Sequence, residues 1–255
     1  MPGPGNPQSL NRFAYVNNNP LRYTDPSGHI EIDEAERAQE ILNLLGMYGI
    51  RIRRDWGWQT EYNELGEPLP LRRWNPGAWQ LRELALLREA VEDISANIGG
   101  AQRFRELVGP VIIRRVHGKD LLRLICEYIS PRVSPAALTT GRIVTLYDEG
   151  VNSKTIIVHE LGHVWDWGTF ASESLDPWIG RGPRPTDYAW TNADEHWAET
   201  VVVWVYPEYE AEFRGHAGLS FRHQQYMALA VNGQIPIPWW AEPPILFIPD
   251  GSVLP

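Results

Sequence analysis

Within residues 155–166, TIIVHELGHVWD, His159 and His163 stand four positions apart with Glu160 beside the first. Residues four apart share one face of a helix, so two imidazoles at this spacing can grip one metal ion. A carboxylate at Glu160 then lies next to that ion, where it can take a proton from a water the ion activates. A catalytic zinc usually takes three ligands from protein and leaves one position to water, so a third ligand is required. A Gly three residues and a His six residues beyond His163 would complete one known arrangement, but Asp166 and Thr169 occupy those places.

The stretch 188–200, YAWTNADEHWAET, offers a better candidate. Its Glu195 and Glu199 fall one helical turn apart, and burying two carboxylates together is costly unless a cation or hydrogen-bond donors face them. One zinc ion held by His159, His163 and Glu195, with Glu199 accepting a hydrogen bond from a ligand histidine, resolves that cost. His196 is the rival ligand. It is rotated about 100° from Glu195 on an ideal helix, so both cannot point equally well at one metal. Glu195 is preferred because Glu199 shares its face, whereas nothing ionisable pairs with His196.

These side chains need elements to hold them. Ser153 caps the helix that carries His159 and His163, Ile156, Ile157 and Leu161 give it apolar flanks, and Gly168 ends it. Thr191 and Asp194 form a T-x-x-D capping box that opens a second helix at about Asn192. Upstream, residues 33–45 read as a helix stopped by Gly46, residues 50–58 as a strand, and 62–74 as linker or surface loop. Asn75 caps a long helix with Pro76 at its first position and Gly99-Gly100 at its end, and Leu84, Leu87, Val91 and Ile94 form its apolar stripe. A short helix (101–108), a strand VIIRRV (111–116), a helix KDLLRLICEYI (119–129) and a strand GRIVTLYD (141–148) follow. RHQQYMALAV (222–231) reads as a helix, and 235–251 as an apolar, Pro-rich tail that wraps the domain or meets a partner. The pattern is α+β, with a small mixed sheet and an active-site helix bearing H-E-x-x-H.

Composition removes several function classes. A net charge of −9 over 255 residues argues against a nucleic-acid partner, which needs a basic surface. Cys126 is the only cysteine, so neither an intramolecular disulfide nor a Cys-based structural zinc site can form, and it reads as a small core residue. No apolar run approaches membrane-spanning length, and the Pro/Gly-rich start lacks the regions of a signal peptide. Of the twelve tryptophans, Trp165, Trp167, Trp178, Trp190 and Trp197 crowd the motif in sequence. Core packing accounts for most of them, and one or two walling a substrate cleft is the sharper alternative.

Two stretches resemble known families. Residues 6–28, NPQSLNRFAYVNNNPLRYTDPSG, resemble the closing segment of the RHS-repeat core of bacterial polymorphic toxins. That resemblance implies the end of the core in 1–28 with a toxin after it, and the residues divide the remainder into a linker with an N-terminal helical region (29–74) and a zinc metallopeptidase toxin domain (75–255). It also implies delivery into a target cell as part of a larger secreted toxin, and a cognate immunity protein as partner beside the parent RHS core. HIEIDEAERAQ follows in place of the longer self-cleavage signature of many relatives, so autoproteolytic release is not implied. The second resemblance lies between Arg142 and Tyr206. VHELGHxxD followed by Y-A-x-T-N-x-x-E-x-x-A-E is similar to the lethal-factor-like zinc peptidases, a gluzincin group.

That similarity implies a zincin-like metallopeptidase fold and a role for each matching residue. His159, His163 and Glu195 become zinc ligands, Glu160 the general base, and Tyr188 the donor to the tetrahedral oxyanion. Glu199 and Asp166 support the site from behind the ligands. It also makes GRIVTLYD the sheet edge above the active-site helix, where an extended peptide substrate adds as a strand. The match departs at His196-Trp197. The expected function is zinc-dependent endopeptidase action on a target protein. The alternatives are a zinc-dependent hydrolase of a non-peptide amide or ester, and a non-catalytic interaction module stabilised by zinc.

Overall fold

The computed structural model describes residues 32–55, 57–59, 72–74, 79–129, 134–208 and 218–235. In chain order these form α1 (Ile32–Met47), β1 (Ile50–Asp55), β2 (Gly57–Gln59), β3 (Arg72–Trp74), α2 (Leu81–Ile98), α3 (Ala101–Leu107) and β4 (Val111–Val116). Then come α4 (Leu121–Ile129), β5 (Ala137–Thr140), β6 (Ile143–Leu146), α5 (Lys154–Thr169), α6 (Ala171–Ile179), α7 (Ala193–Val205) and α8 (Phe221–Val231). The architecture is α+β with a small mixed sheet. It falls into two units, one through Gly168 and the other from Thr169 onward.

In the first unit the sheet runs β1-β4-β6-β5. β1, β4 and β6 are parallel, and β5 pairs antiparallel with β6. Parallel neighbours need long crossovers, which α2 with α3 and then α4 supply. Alternation sorts the faces: Ile50, Val111, Ile113, Val144 and Leu146 are buried, whereas Arg51 and Arg53 are exposed. The stripe Leu84, Leu87, Val91 and Ile94 is buried on α2 as its 3.6-residue period requires. β1 lies within the stretch 29–74, and its full six-residue pairing with β4 makes it a strand of the main sheet.

Several sequence expectations need correction. α1 runs through Gly46 to Met47, and the turn falls at Gly49, whose φ of 82° suits glycine. α2 begins at Leu81, where Gln80 and Glu83 form a capping box; Asn75 and Pro76 lie outside the described residues. GRIVTLYD is not the sheet edge. β6 within it is flanked by β4 and β5, so β5 forms the edge on that side. A hairpin turn at Gly141 (φ 59°) and Arg142 joins the pair, with Thr140 opposite Ile143. Gly168 does not end α5, which reaches Thr169. A side chain at Gly168 would crowd Arg142, whose guanidinium reaches within 3.3 Å of the added carbon. Cys126 is only half-buried on α4. Residues 1–28 and the tail beyond Ile235 lie outside the described residues.

The second unit contains α6, α7 and α8. Trp197 of α7 meets Tyr226 of α8 edge-on at 6.1 Å between ring centres, and both are fully buried. The Tyr226 hydroxyl donates to the Ala171 carbonyl at 2.8 Å, tying α8 to the start of α6.

Candidate metal centre

α5 carries the first part of the candidate site. Ser153 Oγ accepts from Ile156 N at 3.3 Å, the N-cap that the sequence suggests. One turn into the helix, His159 Nε2 and His163 Nε2 lie 3.1 Å apart with their rings nearly perpendicular. Two nitrogens held at about 2.0–2.1 Å by a tetrahedral ion sit roughly 3.3 Å apart, so the pair is set close to a shared zinc. Glu160, between them in sequence, is buried at 6 % exposure. Its Oε2 accepts from Thr139 Oγ1 at 2.5 Å, and the same hydroxyl lies 3.3 Å from the Glu160 carbonyl. Thr139 stands on the edge strand β5, so the hairpin that closes the sheet also fixes the rotation of this carboxylate. Nothing in the sequence near the motif points to Thr139, which is twenty-one positions away.

The second part lies on α7. Asn192 caps it, its side chain accepting from Glu195 N at 2.9 Å; the cap is therefore Asn192 and not the Thr191 of the expected capping box. Glu195 is half-buried and Glu199, one turn on, is buried at 5 % exposure. Glu199 Oε2 accepts from the fully buried Thr186 Oγ1 at 2.6 Å, a hydrogen bond that satisfies part of the cost of burying it. Thr186 is a further residue that sequence reading missed.

His196 has ionisable partners after all, contrary to the expectation that nothing pairs with it. It is fully buried, with Nδ1 2.6 Å from Asp176 Oδ1 and Nε2 2.9 Å from His223 Nε2. Ser220 Oγ lies 2.7 Å from His223 Nδ1, and Arg184 also reaches Asp176 at 3.1 Å. Arg184 Nη1, a donor only, also lies 2.6 Å from His196 Nδ1 and 3.2 Å from its Nε2, so both ring nitrogens are engaged by Asp176, Arg184 and His223. Both nitrogens of His196 are then committed, which leaves it no lone pair for a metal. Burial pushes its pKa down to about 4, with Asp176 opposing and Arg184 adding to the effect. His223 is pushed down to about 3 by burial, then by His196 and Arg184.

Tyr188 opens the 3-10 turn before α7 and is 53 % exposed. Asp166 is half-buried on α5, one turn past His163. The tryptophans divide: Trp165 and Trp197 are core, whereas Trp167 and Trp190 are well exposed and Trp178 partly so.

Among the described residues, one group of His, Cys, Asp and Glu could hold a metal ion. It is His159, His163 and Glu195, whose ligand atoms all lie within 4.8 Å of one another. Two imidazoles and one carboxylate form a donor set suited to zinc, and one too small to close a four-coordinate site without water.

No family model matches this chain, and no curated protein matches it. Among solved structures it is similar to a crystal structure from Bacteroides caccae, provisionally named a zinc-binding metallo-peptidase. The identity is 16 %, the match covers 79 % of this chain and 85 % of that one, and the TM-score is 0.44. A likeness of that size fixes neither fold nor activity for this chain.

Proposed function

We propose that this chain is a zinc-dependent endopeptidase of the H-E-x-x-H…E type, with one zinc held by His159, His163 and Glu195. The observation that carries this reading is the grouping of those three ligand atoms within 4.8 Å, with the buried Glu160 next to His159. Bound zinc supplies Lewis acidity, polarising a carbonyl and lowering the pKa of water. The protein's own residues do the rest. Glu160 takes a proton from the attacking water on its carboxylate and passes it to the leaving amine nitrogen. Thr139 holds that carboxylate in one rotation through its hydrogen bond to Oε2. Tyr188 donates its phenol hydrogen to the carbonyl oxygen as negative charge develops there. Glu199 and Asp166 steady the ligand helices from outside the donor set. A substrate peptide in extended form pairs with the edge strand β5, which corrects the assignment of that role to GRIVTLYD.

The resemblance of residues 6–28 to the closing segment of an RHS core supports a wider reading. In it the chain ends a polymorphic toxin, is delivered into a target cell, cuts a protein there and is blocked in the producer by an immunity protein.

Mapping of new protein N-termini in cells expressing the chain, against a Glu160→Gln control, tests the proposal. A defined set of new termini that disappears in the control is expected. Identical termini in both would refute it. Glu160-dependent hydrolysis of small amides or esters with no new termini would point instead to the non-peptide alternative.

A further inference from the structure

α4 is built the opposite way round from an ordinary surface helix. A helix on a globular domain buries its apolar stripe and turns its polar side to water. In LLRLICEYI the buried residue is Arg123, Leu124 and Cys126 are half-buried, and the other five apolar residues face outward. Leu121 is 67 % exposed, Leu122 41 %, Ile125 44 %, Tyr128 88 % and Ile129 75 %. Their positions relative to Ile125 are −4, −3, 0, +3 and +4, so they form one continuous stripe.

The inversion is held firmly. The Arg123 guanidinium reaches both carboxylate oxygens of Glu149 at 3.2 Å and Ser134 Oγ at 2.7 Å, and lies 4.7 Å from the centre of the Tyr147 ring. Asp120 Oδ1 caps the helix by accepting from Arg123 N at 3.0 Å, and also accepts from the Tyr147 hydroxyl at 2.7 Å. Lys119 and Glu127 pair at 2.6 Å along the flank. Turning the stripe inward would leave the buried Arg123 without its carboxylates, an uncompensated charge that the fold avoids by keeping the stripe outward.

We infer that the outward stripe of α4 is an interface with a second copy of this chain, formed by two α4 helices packed antiparallel across a two-fold axis at Ile125. In that arrangement Leu121 opposes the partner's Ile129, Leu122 opposes the partner's Tyr128, and Ile125 meets its symmetry mate. Every apolar side chain of the stripe finds an apolar counterpart, as an isologous interface demands. No charged side chain belongs to the stripe, so the net charge of −9 does not meet itself at the contact. Complete cover of the five side chains would withdraw at most roughly 600 Å² per copy, about 1,200 Å² for a symmetric pair, the lower end of what a stable dimer needs. The dimer is accordingly concentration-dependent.

Sedimentation equilibrium of the full chain from about 1 to 200 μM tests this, together with Ile125→Lys, an exposed position that leaves the fold intact by circular dichroism. The expected result is a monomer–dimer equilibrium in the native protein and a monomer throughout in Ile125→Lys, with zinc content unchanged. In a Cys126→Ser background, Ile125→Cys should also be joined by a short bis-maleimide into a covalent dimer. A native chain that stays monomeric at 200 μM would overturn the inference, as would a dimer indifferent to Ile125→Lys. Hydroxyl-radical footprinting then distinguishes the other occupants. Protection of Leu121 and Tyr128 in a monomer means that a segment of the same chain covers the stripe. Full labelling leaves the stripe to a different protein.

Discussion

Glu160 is positioned by a residue from another element. A hydroxyl donating to a carboxylate restricts its rotation, and a hydrogen bond to a charged group is worth about 1.5–3 kcal/mol. Thr139→Val should therefore lower kcat by roughly 10- to 100-fold while zinc content stays the same, and Thr139→Ser should restore most of it. Steady-state kinetics of the two variants decide the point, because equal losses in both would mean that packing, not the hydroxyl, matters. Tyr188 makes a separate claim. Removing an oxyanion donor costs about 10² or more in kcat, whereas removing a hydroxyl from a side chain that is 53 % exposed should hardly alter stability. Tyr188→Phe should thus show a large kcat loss with KM and melting temperature nearly unchanged. An unaltered kcat would make Tyr188 an ordinary surface residue.

Neighbouring residues on α7 have opposite fates. Glu195 belongs to the candidate metal group, whereas His196 is locked into the chain running from Asp176 to Ser220. Glu195→Ala should strip zinc during dialysis against a chelator, and His196→Ala should keep zinc but lose stability. The reverse outcome would exchange their roles. The same chain makes the fold sensitive to acid. His223 is neutral in the folded state, its pKa pushed down to about 3, against about 6.5 when unfolded. A depressed histidine pKa means that the unfolded chain takes up the proton first. The stability is fully present above about pH 6.5 and falls toward pH 3, by up to about 1.4 kcal/mol per pH unit for one such group. The groups facing His223 here are His196, Ser220 and Arg184. His223→Gln should flatten the decline in urea-unfolding stability between pH 6.5 and 4; an unchanged slope would contradict the assignment.

What was legible in the sequence follows the same division between local and distant. α2, α3, α5, α7 and α8 were readable because periodicity is written within each element, whereas of the ends read for them Ser153 and Gly99 hold and Asn75, Thr191 and Gly168 do not. The His159, Glu160 and His163 cluster was readable because a helix fixes spacing four by itself. β5 is four residues long, and its role as an edge depends on pairing with β6 rather than on its own pattern. α6 was hidden by Pro177 inside it and by the left-handed Phe170 at its start. Thr139, Thr186, Asp176 and His223 reach their partners from thirteen to twenty-seven positions away, and no local signal carries such contacts.

For the molecule as a whole, a chain with one cysteine would have to build the proposed zinc site from imidazole and carboxylate, and His159, His163 and Glu195 are the group that could hold a metal ion among the described residues. A ligand that binds only the folded state stabilises it by RT ln(1 + [L]/Kd), so zinc at a thousandfold excess over Kd adds about 4 kcal/mol. Titrating zinc into the metal-free chain, while following bound metal by calorimetry and peptide hydrolysis in parallel, tests the central claim most directly. The account predicts one zinc per chain, hydrolysis rising in step with occupancy, and a Glu160→Gln protein that binds the same equivalent without hydrolysing peptide. Hydrolysis that persists in the chelated protein, or an equivalent of zinc that binds without bringing any hydrolysis of protein or peptide, would contradict it.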